Sequence, residues 1–273
     1  FRRLLLFLGA WGFAMNFSLP FITVVLLKTL QFSLWHVTLL AALSQVGNLL
    51  GFRLWAPLTD RFGNKPVLLL AASSVTITLA LWAILPQTVS PFTGPAIVAL
   101  HAYLGFALAG LDLAANGIVL KLSEEGAEAP YLATASVVKA LGTGVAPLVG
   151  GLVATLLAPA RFTVSLAAEY DGHGTGLTAF QIAHYDFLFL ISFLVALYAL
   201  HRLLAFEEPG EAHPHAVVRA MRREIPQISS VAGLRVFAHA ASYLVETAYL
   251  LERKVGRPLG SAGPRADPPD SPR

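Results

Sequence analysis

The sequence contains no cysteine. That absence excludes disulfide frameworks, thiolate zinc sites, iron–sulfur clusters and cysteine nucleophiles, and leaves the redox compartment open. Charge is also scarce: 13% of the 273 residues are Asp, Glu, Lys or Arg, about half the usual share of roughly 25% in soluble domains. With 56% apolar residues and a mean hydropathy of +0.66, too few polar side chains remain to cover a water-facing surface. Lipid is the natural solvent for such a chain. Nineteen Lys and Arg against 16 Asp and Glu give a net charge of +3, spread thinly over a neutral chain, so no nucleic-acid surface is expected. A nucleophile elbow, a Walker loop, a dinucleotide fingerprint and a zincin helix are all missing. Asp171, His173, His184 and Asp186 cluster in one connection, but their spacing matches no metal motif. Neither a cofactor nor a metal is expected.

What is present is a set of long apolar runs. A bilayer core about 30 Å thick takes about 20 apolar residues per helix, and six runs meet this: 4–27, 34–56, 66–86, 95–119, 131–158 and 184–205. The first is too long, and lacks the small-residue cleavage site, for a signal peptide. An even number of crossings puts both ends of the bundle on one side. Arg2, Arg3, Arg53, Arg61, Lys65, Lys121 and Arg202 fall on that side, and Lys28 and Arg161 on the other. By the positive-inside bias, the side holding the ends is expected to be cytoplasmic, in a cell (inner or plasma) membrane.

The connections differ in character. APLTDRFGNK, between the second and third runs, is charged and tight, while PQTVSPFTGP, between the third and fourth, carries no charge. Between the fifth and sixth runs, Phe162, Val164 and Leu166 alternate with other residues ahead of the glycine-rich DGHGTG. That pattern predicts a small external β-hairpin. The domain reading is a six-helix bundle over 1–206, a cytoplasmic helical tail over 207–255 and a disordered C-terminus over 256–273. In the tail, Val217, Val218, Met221 and Ile225 fall on one helical face, with Arg219, Arg222 and Arg223 largely off it. Two readings stand, a helix on the anionic leaflet or one packed on the bundle ends.

The loop after the second run reads Ala56-Pro57-Leu58-Thr59-Asp60-Arg61-Phe62-Gly63-Asn64-Lys65. It resembles the G-x-L-A-D-R-x-G-R-K signature of the major facilitator superfamily, which follows the second helix of each six-helix half. Leu58, Asp60, Arg61, Gly63 and Lys65 match in identity and spacing, whereas Ala56 replaces a Gly and Asn64 an Arg. The physical reading agrees: Gly63 permits a tight turn, Arg61 and Lys65 hold the loop in water, and Asp60 is placed to accept free N–H groups at a helix start. The resemblance implies that Asp60, Arg61, Gly63 and Lys65 form a conformational latch. It implies an all-α polytopic fold of six transmembrane helices, half of a twelve-helix transporter, to which the helical spacing after residue 206 adds a cytoplasmic amphipathic tail. The degenerate signature, the opening Phe1 and the run AGLDLAANGIVLKL point to the C-terminal half. The partners so implied are an unknown small-molecule substrate, with or without proton coupling, the lipid bilayer, and a missing N-terminal half or a second copy.

Ionisable groups at membrane depth cost several kcal/mol unless paired or wet, so each is a functional candidate. Asp112 and Lys139 lie at similar depth, about 10 Å and about 12 Å inside adjacent antiparallel segments, which predicts an ion pair. Asn116 follows Asp112 by one turn and is expected to extend that network. Asn16, Gln45 and Asn48 are expected to face inward and His101 to join either a proton relay or a neighbouring hydrogen bond. Pro20 and Pro147 are expected to bend their helices. The function expected is secondary active transport by alternating access. The alternative is a non-transporting scaffold or sensor on the same bundle. An intramembrane enzyme is disfavoured, because no paired catalytic carboxylates or His-metal spacing fall within the helices.

Overall fold

The structure, a computed structural model, describes residues 1–85, 93–170 and 173–205. The expectations for the tail, at 207–255 and 256–273, lie outside the described residues. Among the described residues, six helices are long and apolar enough to cross a membrane. They are α1 (Arg2–Val24, continued as a π-helical turn at Val25–Thr29), α2 (Leu34–Phe62), α3 (Asn64–Ile84), α4 (Thr93–Lys121), α5 (Glu128–Leu156) and α6 (Asp186–Leu204). Pro95, Pro66 and Pro130 sit in the first turns of α4, α3 and α5, where an intrahelical N–H is not needed. Pro20, Pro57 and Pro147 lie in helix interiors and each removes one backbone bond there. Arg3 Nη1 donates to the carbonyl of Ala205 at 2.6 Å, satisfying one free acceptor at the end of α6.

Two expected boundaries shift. α2 runs on through Phe62, so the reversal into α3 is made at Gly63 alone rather than over a ten-residue loop. Arg53 consequently lies nine residues inside α2, about 13 Å from its end, and not among the loop cations. The expected hairpin is present as β1 (Arg161–Tyr170) and β2 (His173–Ala183), antiparallel from Arg161↔Ala183 to Tyr170↔His173 with a register shift at Val164/Ser165. His173 to Gly176, expected in the turn, pair within the ladder.

The helices pack in the order α2–α4–α3–α6–α1–α5, with lighter contacts between α4 and α5. This scheme is unchanged when α1, α2 and α3 are exchanged with α4, α5 and α6: α1 on α5 matches α4 on α2, α1 on α6 matches α4 on α3, and α3 on α6 maps onto itself. Three helices per unit reverse the sense of the second, so the bundle is an inverted repeat. At its centre Trp82 stacks on Phe189 of α6 and meets His101 of α4 edge-on, both at 5.7 Å. The outer helices α2 and α5 expose large apolar residues, including Trp35, Leu49, Leu141 and Leu148, too continuous an apolar surface for water.

Lipid is as apolar as leucine, so helix association depends on close packing and interhelical hydrogen bonds. A methyl group on Gly105 would overlap the Ser44 carbonyl, and one on Gly47 the Ala102 carbonyl, so α2 and α4 meet backbone to backbone. Gly142 and Gly150 are as tight against Gly9 and Phe17 of α1. Gly144, by contrast, faces open space. Gly105→Ala is therefore expected to destabilise the purified protein by about 1–3 kcal/mol through overpacking, read as a fall in thermal midpoint in detergent. Gly144→Ala should leave the midpoint unchanged or raise it.

Candidate functional site

Lys139 Nζ donates to Asp112 Oδ1 at 3.0 Å, joining α5 to α4. The two side chains keep 47% and 44% of their surface accessible. The pair is therefore half-open, spanning two helices that touch only lightly. One turn further along α5, Thr143 Oγ1 accepts from Asn16 Nδ2 at 3.3 Å, and the same amide donates to Gly12 O at 2.9 Å. Gly12 is pressed against the Lys139 carbonyl, which brings Asn16 of α1 to the level of the ion pair. Asp112, Lys139, Thr143 and Asn16 thus form one polar strip across α4, α5 and α1. Thr143 and Gly12 escaped the sequence reading. Their signal was the repetition of small residues at helical spacing in KALGTG, and a Thr beside glycines reads as packing.

Other expected members separate from this strip. Asn116 is exposed and makes no hydrogen bond among the described residues, so it shares the helix side of Asp112 without extending its network. Gln45 is exposed rather than inward-facing, because the side of α2 that meets α4 is taken by Ser44, Gly47, Gly51 and Trp55. Asn48 Nδ2 donates to Gly105 O at 3.3 Å, and Trp55 Nε1 to Phe106 O at 2.9 Å. Both are interhelical fastenings of α2 to α4. The buried His101 directs Nδ1 at Ile97 O, 2.9 Å away in its own helix. Since a carbonyl only accepts, Nδ1 carries the proton there.

The signature loop has a different geometry from the expected one. Asp60 lies in the last turn of α2, exposed and without a hydrogen bond or ion pair among the described residues. A helix end presents carbonyls rather than free amides, so the carboxylate finds no donor there. The start of α3 is capped instead by Gly63, without a side-chain cap. Gly63 has φ 90° and ψ 166°, a region essentially reserved for glycine. The Arg61 guanidinium lies 5.1 Å from the Phe62 ring centre, while Lys65 is buried. Asn64, which stands where the signature has Arg, places its amide against Gly117 of α4, where a methyl group would overlap it. The turn is thereby docked on the end of α4.

A family model described as Major Facilitator Superfamily matches residues 6–251. No curated protein matches the sequence. Among solved structures, the nucleoside transporter NupG aligns with a TM-score of 0.54 at 16% identity, over 75% of this chain and 48% of that one. The partially occluded, inward-open xylose transporter XylE from E. coli aligns with a TM-score of 0.52 at 17% identity, over 93% of this chain and 59% of that one. The proton:xylose symporter XylE bound to 6-bromo-6-deoxy-D-glucose gives a TM-score of 0.53 at 16% identity, over 93% and 54%. The chain spans about half the length of these transporters, and at such identities the likeness is one of fold.

Gly63→Ala is expected to cost about 1–3 kcal/mol through backbone strain, seen as a lower thermal midpoint. For the ion pair, Lys139→Gln alone leaves a carboxylate unpaired at membrane depth, an expense the double variant D112N/K139Q avoids. A double-mutant cycle on thermal unfolding is expected to show the single variants destabilised more than additivity with the double variant allows.

Proposed function

Since the chain belongs to the Major Facilitator Superfamily and is a multi-pass membrane protein, we propose that it moves a small polar solute across a cell membrane by alternating access. The observation that carries this reading is the half-accessible Asp112–Lys139 pair beside the Asn16–Thr143 hydrogen bond. A pair serving only to hold helices together is best kept dry and closely packed. One left half-open at depth retains a free carboxylate oxygen and ammonium protons for a solute or a transferred proton. Lys139 supplies donors, Asp112 and the Asn16 side-chain oxygen supply acceptors, and a neutral solute rich in hydroxyl groups satisfies both. The structural neighbours include a nucleoside transporter and a xylose transporter, which supports the same class of solute here.

In this reading Asp60, Arg61, Gly63 and Lys65 act as the latch at the α2–α3 turn, set against α4 through Asn64 in one access state and released in the other. The side carrying this turn and the beginning of α1 is cytoplasmic, given its Arg and Lys residues. A second six-helix bundle completes the path, covering the apolar faces of α2 and α5.

Reconstituted into proteoliposomes together with the second bundle that completes the path, the protein is expected to accumulate labelled xylose or a labelled nucleoside above the level of empty vesicles. An imposed proton gradient should stimulate uptake if Asp112 takes up the coupling proton. D112N and K139Q should each slow uptake about tenfold, equivalent to about 1.4 kcal/mol of barrier. Absence of uptake across a broad panel of sugars and nucleosides would favour the scaffold alternative.

A further inference from the structure

Arg53 of α2 is exposed and makes no hydrogen bond, ion pair or ring contact among the described residues. With 29 residues, α2 is about 43 Å long, close to a bilayer with its headgroups, about 40–45 Å around a core of about 30 Å. The headgroup layer thus takes about 6 Å of each end, and Arg53, about 13 Å from the Gly63 end, lies about 7 Å inside the hydrocarbon. A guanidinium at that depth needs a counter-charge. Headgroup phosphates at the Gly63 end are poorly placed to supply it. Helical side chains set out toward the helix N-terminus, and for α2 that direction leads away from them. Among the described residues, Asp112 is the one acid within the apolar part of a helix, the others lying in connections, strands or the end turns of helices. Asp112 is already held by Lys139 of α5.

Arg53 stands two residues past Gly51, about 200° around the helix, and so opposite the side on which Gly47, Gly51 and Trp55 meet α4. On that far side Ala42, Val46, Leu49, Arg53, Ala56 and Asp60 recur at alternating intervals of four and three. This is the spacing of a seam along which another helix lies at a shallow crossing angle. Val46 and Leu49 are exposed on it, and the alanines let a neighbouring backbone approach. We propose that the second bundle docks on this seam, and that the helix seated there carries an Asp or Glu at the depth of Arg53, with apolar residues opposite Val46 and Leu49. The occupant is a bundle of different sequence, because a second copy of this chain offers no unpaired carboxylate at that depth among its described residues. The docking rests on the reading above in which a second bundle covers α2.

The thermal midpoint of the chain assembled with that bundle tests the seam. Leucine suits lipid better than arginine, so on a lipid-facing side R53L leaves the midpoint unchanged or raises it. On the docked seam R53L leaves a carboxylate unpaired, and a fall of roughly 5–15 °C is expected, with R53K, which keeps the charge, losing less than half as much. Each Asp and Glu in the apolar segments of the second bundle is then replaced in turn by Asn or Gln in the R53L background. One such replacement is expected to restore at least half of the loss. A midpoint that R53L leaves unchanged or raises, or a fall that no replacement restores, overturns the proposal. So does a fall that appears only in vesicles rich in anionic lipid, which marks a phosphate partner. Should R53L yield no folded protein, recovery of folding by one replacement supports the seam, and recovery by none overturns it. Restoration in vesicles that take up no solute sinks the transport reading and leaves the seam standing, while uptake without any restoring replacement does the reverse.

Discussion

The backbone-to-backbone approach of two parallel helix pairs sets the rest of the geometry. In a bilayer no aqueous driving force brings helices together, and neighbours gain most from surfaces that allow many atoms to meet. Glycines at 47, 51 and 105 seat α2 on α4, and those at 9, 12, 142 and 150 seat α1 on α5. With no side chains between them, the helices have one register, since a shift of a single turn would drive a side chain into a carbonyl. The interhelical hydrogen bonds along these two seams inherit that register. Asn48 reaches Gly105, Trp55 reaches Phe106 and Asn16 reaches Thr143 because glycines nearby have already brought the helices into range.

The second feature is the uneven tightness of the bundle. Charged groups at depth require a partner, and the Asp112–Lys139 pair spans α4 and α5, which touch lightly. The strongest fastenings therefore tie α1 to α5 and α2 to α4, leaving the Asp112–Lys139 contact as a junction between more firmly built units. A firmly held side of a helix and a loosely held one on the same element are what a rocking motion requires. The glycine-only backbone at Gly63 and the seat of Asn64 on α4 add a rigid corner where the first unit turns back.

Much of this was legible in the residues. The six apolar runs became six helices near their expected limits, the alternation after Arg161 became a hairpin, and Asp112 and Lys139 met because equal depth on antiparallel neighbours leaves two opposite charges few other partners. The failures share a cause. Asp60 was expected at a helix start, but α2 continues six residues beyond its apolar run, since polar residues form helix as readily once the segment leaves the lipid. Gln45 and Asn116 were expected to join a network from their polarity. Polarity shows that a residue wants a partner, and only the packing shows which side of its helix faces one.

The sequence by itself determined the solvent, the number of crossings, the family resemblance and the pairing of the two opposite charges within the helices. These follow from composition, from the length of apolar runs and from the cost of charge in lipid, none of which requires knowing which helix stands beside which. Tertiary structure alone decided the order of the helices, the inverted repeat, the partnership of Asn16 with Thr143 and the seat of Asn64 on Gly117. Those depend on where backbones come close enough to touch, and a glycine in the sequence announces that freedom without naming the helix that uses it.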